Sequence, residues 1–301
     1  VPVFSITLIL SAFLLFSIQP LFGKMILPLM AGPPMVRNVA MLFYQAVLLA
    51  GYAYAHVTSK LLNVRTQAIL HIVLFAIFAV ILPFAVDRTM EPPIDPSQLA
   101  FWQISLMAVT IGGPFFVLSG CAPMLQHWFA RSGHKDGDNP YFLYSASNLG
   151  SMLALLSYPF VFEPNFTVPQ QSAIWAFAYY ALIVLIACSL LMIWSKQKQD
   201  KKTAKKSAAK TKKADDDAPT WKRRATWLFL SFVPSSLMLG VTTYISTDLA
   251  AFPLLWIIPL ALYVGTFIIV FSRKEIIPLA RIHQIYLYFF VALVFVFSGN
   301  I

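Results

Sequence analysis

Stretches of about 20 apolar residues recur along the whole sequence and constrain the fold more than any other feature. Hydrophobic side chains make up 59% of the 301 residues and charged ones only 11%, whereas soluble proteins average about a quarter charged residues. The apolar runs are continuous rather than alternating, which excludes a porin-like barrel. We therefore predict an all-α polytopic membrane protein.

Nine hydrophobic segments are long enough to count as candidate transmembrane helices. In chain order they cover residues 3–22, 39–59, 67–86, 101–125, 141–162, 172–194, 226–245, 252–271 and 282 to the end.

A polar, lysine-rich stretch interrupts the apolar sequence at residues 196–224. It holds twelve of the 22 Lys and Arg residues, together with four acidic ones. Such a composition cannot bury enough apolar surface to offset the entropy of ordering, so a disordered linker is predicted. The linker separates a first bundle of six helices, residues 1–195, from the start of a second bundle of three, residues 225–301. Besides acting as a spacer, it is able to bind anionic lipid headgroups.

The basic residues also predict the orientation of the helices. Basic residues of short loops stay on the cytoplasmic side of the membrane, so the linker and the N-terminus are expected in the cytoplasm. Without the linker, the remaining Lys and Arg still divide seven inside to three outside, the outer ones being Lys24, Arg37 and Arg88. The net charge of +10 comes mainly from the linker, and it therefore reports topology rather than binding to nucleic acid.

Six helices, a long basic loop and three further helices form the layout of a major facilitator-type transporter with an incomplete second half. In that architecture, two six-helix halves are related by a pseudo-two-fold axis along the membrane normal. The count fits either a fragment or a protein whose second half is naturally incomplete. The expected fold is thus a major facilitator-like helical bundle of six plus at least three helices.

Four stretches carry a more specific resemblance. They read FLLFSIQPLFGKMILPLM (13–30), FYQAVLLAGYAYAH (43–56), PYFLYSASNLGSMLALLSYPFVFEP (140–164) and VPSSLMLGVTTYISTDLAAFPLLWIIPLALY (233–263). Together they resemble the membrane region of the fused major facilitator/spermidine synthase-like proteins of bacteria. The resemblance implies a multi-pass protein of the bacterial cytoplasmic (inner) membrane. It also implies a soluble partner domain similar to spermidine synthase, an aminopropyl transferase of Rossmann-like fold.

No such soluble domain can be found in this sequence, since no strand is followed by a Gly-rich turn and an acidic residue about 20 positions on. The sequence also departs from the major facilitator pattern. HVTSKLLNVR keeps Lys60 and Arg65 between the second and third helices but lacks the usual Asp, and Arg37 stands where an apolar or aromatic residue is expected. These departures put ordinary carrier gating in doubt.

Ionisable residues within membrane spans are costly and are therefore candidates for function. Lys24 follows Gln19-Pro20 at the outer end of the first helix, and Asp248 follows the seventh. Because these helices are symmetry mates in the expected fold, we hypothesise that the two residues pair as an outer gate. The alternative is that each side chain reaches the headgroups separately.

Further polar residues form a second group of candidates. Glu163, at the outer end of the fifth helix, is either an interfacial residue or a carboxylate that attracts cations. The small-residue stretch SASNLGS (145–151) is typical of a close helix contact, with contact to a solute as the alternative. The residues proposed to line a cavity are Gln19, Gln45, Asn148, Ser151, Thr242, Thr243 and Tyr244.

Two functions remain open at this stage. The first is a transporter-like domain that moves a small solute, although a polyamine would require several carboxylates and only Asp248 and Glu163 qualify. The second is a membrane anchor and scaffold for an aminopropyl transferase-like domain. No nucleophile–base pair, metal-ligand spacing or cofactor motif can be assembled, and His71 and the other histidines indicate structural roles, so catalysis by this chain itself is not expected.

Overall fold

The computed structural model describes residues 2–30, 34–86, 90–132, 137, 140, 142–199, 220–244, 257–272 and 277–298. These residues form mainly helices, with no β-strand in the described ranges. In chain order, the helices and two π-helical turns are α1 (Pro2–Met30), α2 (Pro34–Leu61), α3 (Val64–Ala79), α4 (Pro96–Met107), π1 (Ala108–Gly112), α5 (Gly113–Ala130), α6 (Phe142–Ser157), π2 (Tyr158–Phe162), α7 (Glu163–Asn165), α8 (Val168–Gln199), α9 (Trp221–Tyr244), α10 (Ile257–Val270) and α11 (Leu279–Ser298).

Within the described ranges, five helical stretches are long and apolar enough to cross a membrane: Pro2–Met30, Met35–Leu61, Ser97–Ala130, Val168–Met192 and Trp221–Thr242. Two shorter apolar helices are Val64–Ala79 and Ile257–Val270. This confirms the prediction of an all-α membrane protein with several transmembrane helices. A lipid bilayer is the environment expected around these helices, because bulk water would leave their apolar surfaces exposed to a polar solvent.

Most predicted segments coincide with a helical stretch, but the third ends early. α3 stops at Ala79, whereas the apolar run continues to Val86. Pro83 explains the difference, because proline lacks an N–H group and disfavours helical geometry in the residue before it. The chain re-enters a helix at Pro96, where Asp95 caps α4 by accepting a hydrogen bond from the Ser97 amide at 2.9 Å.

α1 lies at the centre of the first bundle and contacts α5, α6 and α8. Its buried side chains recur every three or four residues, as from Phe4 to Leu8 and again from Ile18 to Phe22. This is the spacing of one helix face. The core continues through α5 and α8 with large aromatic side chains such as Trp128 and Tyr179.

Glycines permit the closest helix crossings. A Cβ atom at Gly150 would overlap the backbone carbonyl group of Ile9, so α6 lies directly against α1 at this point. A Cβ at Gly51 would meet the Ser119 side chain in the same way, where α2 crosses α5. The close contact predicted from SASNLGS is therefore confirmed at Gly150, since small residues let backbones approach.

The helices after residue 220 pack against the first bundle through α10. Leu155 of α6 forms a small apolar cluster with Ile257 and Val264 of α10, and the Ser145 hydroxyl donates to the Ile268 carbonyl at 3.2 Å. α9 and α11 keep most of their apolar side chains exposed.

The helices also extend into both ends of the predicted linker. α8 continues to Gln199 and α9 begins at Trp221, and residues 200–219 lie outside the described part of the chain. The Arg223 guanidinium lies 5.2 Å from the centroid of the Trp227 ring, a distance typical of a cation–π contact.

Candidate functional site

An ion pair joins α1 to the end of the fifth hydrophobic segment. Lys24 Nζ donates to Glu163 Oε1 at 3.0 Å, and the two side chains are 33% and 35% exposed. Lys24 lies in the penultimate turn of α1, and Glu163 begins α7 immediately after π2. The pair is therefore partly exposed at the surface of the bundle, and each charge has its partner at hydrogen-bond distance.

Prolines account for both π-helical turns, of which π2 lies directly before Glu163. Pro159 lies within π2 and Pro114 follows π1, and a proline cannot donate the backbone hydrogen bond that an α-helix needs. π-helical turns occur often at functional sites. At Gly112-Gly113-Pro114 the π-helical turn π1 ends and α5 begins.

A small cavity lies between α1, π2 and α8, close to the ion pair. Its volume is about 30 Å³, and Phe13, Leu14, Phe162 and Trp175 form part of its wall. The Trp175 Nε1 group donates to the Leu14 carbonyl at 3.1 Å and so ties α8 to α1. Tyr158 and Gln171 also line the cavity, through their apolar atoms, so that its wall is almost wholly apolar.

Two of the residues proposed to line a cavity are amides on separate helices. Gln19 is half-buried on α1 and Gln45 is exposed on α2. Neither side-chain amide makes a hydrogen bond to another residue within the described ranges. Because an amide facing lipid loses its hydrogen bonds at considerable cost, this placement favours a polar environment outside the bundle core.

Three of the remaining candidates, Asn148, Ser151 and Thr242, donate hydrogen bonds to carbonyl groups of their own helices. The Asn148 amide donates to the Tyr144 carbonyl at 2.8 Å, and the buried Ser151 hydroxyl donates to the Ser147 carbonyl at 3.2 Å. On α9, Thr242 donates to the Met238 carbonyl, while Tyr244 is exposed. Thr243 belongs to α9, and its side chain lies outside the described part of the structure.

Of the predicted gate pair, Lys24 lies within the described residues. Asp248 lies outside the described residues, so its pairing with Lys24 remains a prediction. Within the described ranges, the carboxylate bound to Lys24 is that of Glu163. The cation that Glu163 attracts is thus an internal one, the ammonium group of Lys24.

A buried polar cluster lies elsewhere in the bundle, where the sequence pointed only to structural histidines. Gln67 accepts from Trp128 Nε1 at 2.8 Å and donates to the Thr58 hydroxyl at 2.9 Å. One turn further along α3, His71 Nε2 lies 3.5 Å from Cys121 Sγ. Gln67 is fully buried, and a glutamine inside an apolar run was the signal available in the sequence.

This cluster holds α2, α3 and α5 together rather than forming a metal centre. Within the described ranges, no three His, Cys, Asp or Glu side chains come close enough to hold a metal ion. Neutral hydrogen bonds satisfy Gln67, Thr58 and Trp128 inside the bundle, whereas His71 Nδ1 has no partner within the described ranges.

Fold and site together define a polytopic α-helical membrane protein with an ion pair and a small cavity near one end of its first bundle. No protein family, characterised protein or solved structure matches the chain.

Proposed function

We propose that this chain is the transporter-like membrane domain of a major facilitator-type protein and moves a small solute. The observation that carries the proposal is that Gln19 and Gln45, two amides within helices long and apolar enough to cross a membrane, are not fully buried in the packed core. An amide in that position is stable beside a water-filled pathway and unstable beside lipid tails. Polar residues facing a pathway provide the hydrogen bonds that a translocated solute needs.

The contact between α6 and α10 supports the same proposal. These helices belong to the fifth and eighth hydrophobic segments, and they pack through Leu155, Ile257 and Val264. In two six-helix halves related by a two-fold axis, the fifth segment belongs to one half and the eighth to the other. Their contact is thus one between the halves, beside which a central pathway is expected.

The charges near the site favour a neutral solute over a polyamine. Each ammonium group that leaves water needs a carboxylate partner, and Glu163 already binds Lys24 at 3.0 Å. Only Asp248 then remains of the two carboxylates considered from the sequence. A neutral solute with several hydrogen-bonding groups would use the amides without requiring unpaired charge.

The proposal is tested by uptake into proteoliposomes, with a panel of neutral amides, sugars and nucleosides and with polyamines for comparison. Gln45→Leu should abolish uptake of the accepted solute while leaving the thermal unfolding midpoint unchanged, because Gln45 is exposed. Leu49→Ala, one turn further along α2 at another exposed position, serves as the matched control and should retain uptake. The proposal fails if no solute enters faster than into protein-free vesicles, or if Gln45→Leu transports normally.

A second function is favoured by the ion pair of Lys24 and Glu163, in which each charge neutralises the other. Their mutual pairing leaves neither charge free to bind a coupling ion or an ionic solute. This supports a membrane anchor and scaffold for a spermidine synthase-like domain, held at the bacterial inner membrane with the help of anionic lipid headgroups around residues 196–224. Aminopropyl transferase activity in a complex of this chain with a spermidine synthase-like domain, together with absence of uptake, would favour this function over transport.

A further inference from the structure

The exposed side of α2 is divided lengthwise into a polar and an apolar flank. Successive residues of a helix are rotated by about 100° from one another, so residues seven apart lie nearly above each other. The polar flank follows this interval and consists of Asn38, Gln45, Tyr52 and Ser59, with His56 one turn after Tyr52. The apolar flank lies about 100° away and consists of Val39, Ala46, Ala50, Ala53 and Val57. Leu42 and Leu49 lie between the two flanks, and the opposite side of α2 packs against α5.

The polar flank extends through the whole thickness of a membrane. At about 1.5 Å per residue, Asn38 and Ser59 are about 30 Å apart along the helix, which equals the hydrocarbon core of a bilayer. Both belong to Met35–Leu61, a stretch long and apolar enough to cross a membrane. Residues near the ends of such a stretch reach the headgroups, but Gln45 and Tyr52 lie halfway along it. These two side chains therefore need polar partners at membrane depth.

No such partner lies within the described part of the chain. The side chains of Asn38, Gln45, Tyr52 and His56 are exposed and make no hydrogen bond to another residue there. The Thr58 hydroxyl, on the packed side of α2, instead has its partners inside the bundle. Lipid tails offer no hydrogen bonds, so the polar flank requires a polar occupant.

The polar flank lies on the side of α2 that faces α6. The phenol groups of Tyr52 and Tyr144 are near enough to interact electrostatically, and Tyr144 belongs to α6. The Tyr144 ring in turn packs against Phe271, at the end of the eighth hydrophobic segment, with the ring centroids 5.4 Å apart. α6 therefore links the polar flank to the contact between the two predicted halves, beside which the pathway is expected.

We propose that the polar flank of α2 is a wall of the solute pathway and binds an uncharged solute that carries a hydrogen-bond donor and acceptor side by side, as carboxamides, ureas and nucleobases do. The Asn38 and Gln45 side chains each offer one such pair, about 10 Å apart along the helix, and Tyr52 adds a hydroxyl group. The inference rests on the proposed function. It adds Asn38 and Tyr52 to the residues that contact the solute and specifies the chemistry that they select.

Cysteine labelling shows whether the polar flank faces water. The test uses the full chain in proteoliposomes with Cys188→Ala, and a small, membrane-impermeant methanethiosulfonate, which reacts with the thiolate form of cysteine. Gln45→Cys should react at least tenfold faster than Ala46→Cys, and Tyr52→Cys at least tenfold faster than Ala53→Cys. The members of each pair are neighbours at one depth, and all four positions are exposed, so the flank is the main difference. Equal rates within either pair would overturn the proposal.

A second copy of the chain is the other occupant that would satisfy the polar flank. Two α2 helices paired along this flank would bring the same residue of both copies together. Under mild oxidation, Gln45→Cys would then form a disulfide-linked dimer, and Ala46→Cys would not. Such a dimer would overturn the proposal, whereas a monomer that keeps the labelling difference supports it.

Isosteric replacement of an amide tests the selection of the solute. Gln45→Glu keeps the size and the acceptor but removes the donor, and it should lower uptake of the accepted solute at least tenfold, because one polar group of the solute is left unpaired. Gln170→Glu is the matched control and should retain uptake, since Gln170 is exposed and uses its Oε1 acceptor toward the amide and hydroxyl groups of Thr167. Equal uptake by the wild type and Gln45→Glu would overturn the selection of a donor–acceptor solute.

The labelling and uptake measurements separate this inference from the proposed function. Uptake together with equal labelling of the two flanks would leave transport in place and overturn the assignment of its wall to α2. Faster labelling of the polar flank without uptake of any solute would refute transport, and with it the binding of a transported solute, while confirming that this flank faces water.

Discussion

At the scale of single residues, Lys24 and Glu163 form a contact that is only partly desolvated. About a third of each side chain is exposed, and exposed ion pairs contribute about 0.2–1 kcal/mol to stability. The pair thus adds little to the free energy of unfolding, but it fixes one end of α1 relative to the segment that follows π2.

Charge reversal distinguishes the two carboxylates available to Lys24. Lys24→Glu should lower the unfolding midpoint by about 2–4 °C, because it places two negative charges together. Adding Glu163→Lys should restore most of the loss, whereas adding Asp248→Lys should not. Thermal unfolding of the three variants in nanodiscs provides the measurement. Recovery with Asp248→Lys instead would favour the outer gate hypothesis and contradict the pairing with Glu163.

Asp95 is a second residue whose charge has a defined role, as the N-cap of α4. Hydrogen bonds from the backbone amide and the hydroxyl group of Ser97 hold the pKa of its carboxyl below the ordinary value of 3.8. A carboxyl with a lowered pKa stabilises the folded protein above its unfolded-state pKa. That contribution is lost as the pH falls through the folded-state pKa.

Substitution of Asp95 separates capping from charge. Asp95→Asn should keep the cap, because asparagine caps helices about as well as aspartate. It should also remove the part of the acid-induced loss of stability that begins below about pH 4. Asp95→Ala should lower the unfolding midpoint at neutral pH. Both effects are measured by thermal unfolding between pH 3 and pH 7, and an unchanged acid profile in Asp95→Asn would show that this carboxyl does not contribute.

At the scale of helices, two glycine-mediated crossings hold the first bundle together. α6 meets α1 at Gly150, and α2 meets α5 at Gly51. Contacts of this kind gain stability from dispersion between closely packed backbones, since apolar burial offers little advantage between helices in lipid.

A methyl group at Gly150 should disturb the crossing of α1 and α6. Gly150→Ala places a carbon atom against the Ile9 carbonyl group and should destabilise the protein by about 1–3 kcal/mol. The matched control is Gly23→Ala on α1, where an added Cβ has nothing within 4 Å and alanine favours the helix over glycine. Thermal unfolding compares the two, and equal midpoints would show that the helices are further apart than described.

At the scale of the whole molecule, the described helices divide by how they are packed. Residues 2–199 share a continuous core around α1 and α5, whereas α9 and α11 keep broad apolar surfaces exposed. Such surfaces are stable against lipid or against further helices, and they account for the high hydrophobic content of residues 225–301.

The orientation in the membrane remains a prediction from the basic residues. In a variant with Cys188→Ala, a membrane-impermeant maleimide should label Ser97→Cys in intact cells, because Ser97 lies in the first turn of α4, directly after the predicted outer loop. Ser207→Cys, in the basic stretch, should react only after permeabilisation. The buried Cys121 should stay unlabelled in both variants. Labelling of Ser207→Cys from outside would reverse the topology.

The apolar runs were sufficient to predict where helices form, because a segment of that composition has no stable alternative in a membrane. Which prolines end a helix was less predictable. α1 continues through Pro20 and Pro28, whereas Pro83 lies in the loop that follows α3. The outcome depends on whether neighbouring helices satisfy the freed carbonyl groups, which is a property of packing rather than of local sequence.

The site was harder to predict than the helices. Lys24 and Glu163 are 139 positions apart, and the sequence treated them as separate candidates because no local pattern links them. The cavity could not be predicted either, because it exists only once α1, π2 and α8 are packed together.

The π-helical turn before Glu163 has a consequence for how this site can vary. An α-helix turns by about 100° per residue, so removing one residue from Tyr158–Phe162 would direct Glu163 away from Lys24 without altering either residue. Deleting Val161 should therefore break the ion pair as completely as replacing its carboxylate. The site is therefore specified by the number of residues in π2 as well as by its side chains. Insertions or deletions in this stretch, more than substitutions, will reveal which related proteins share the site.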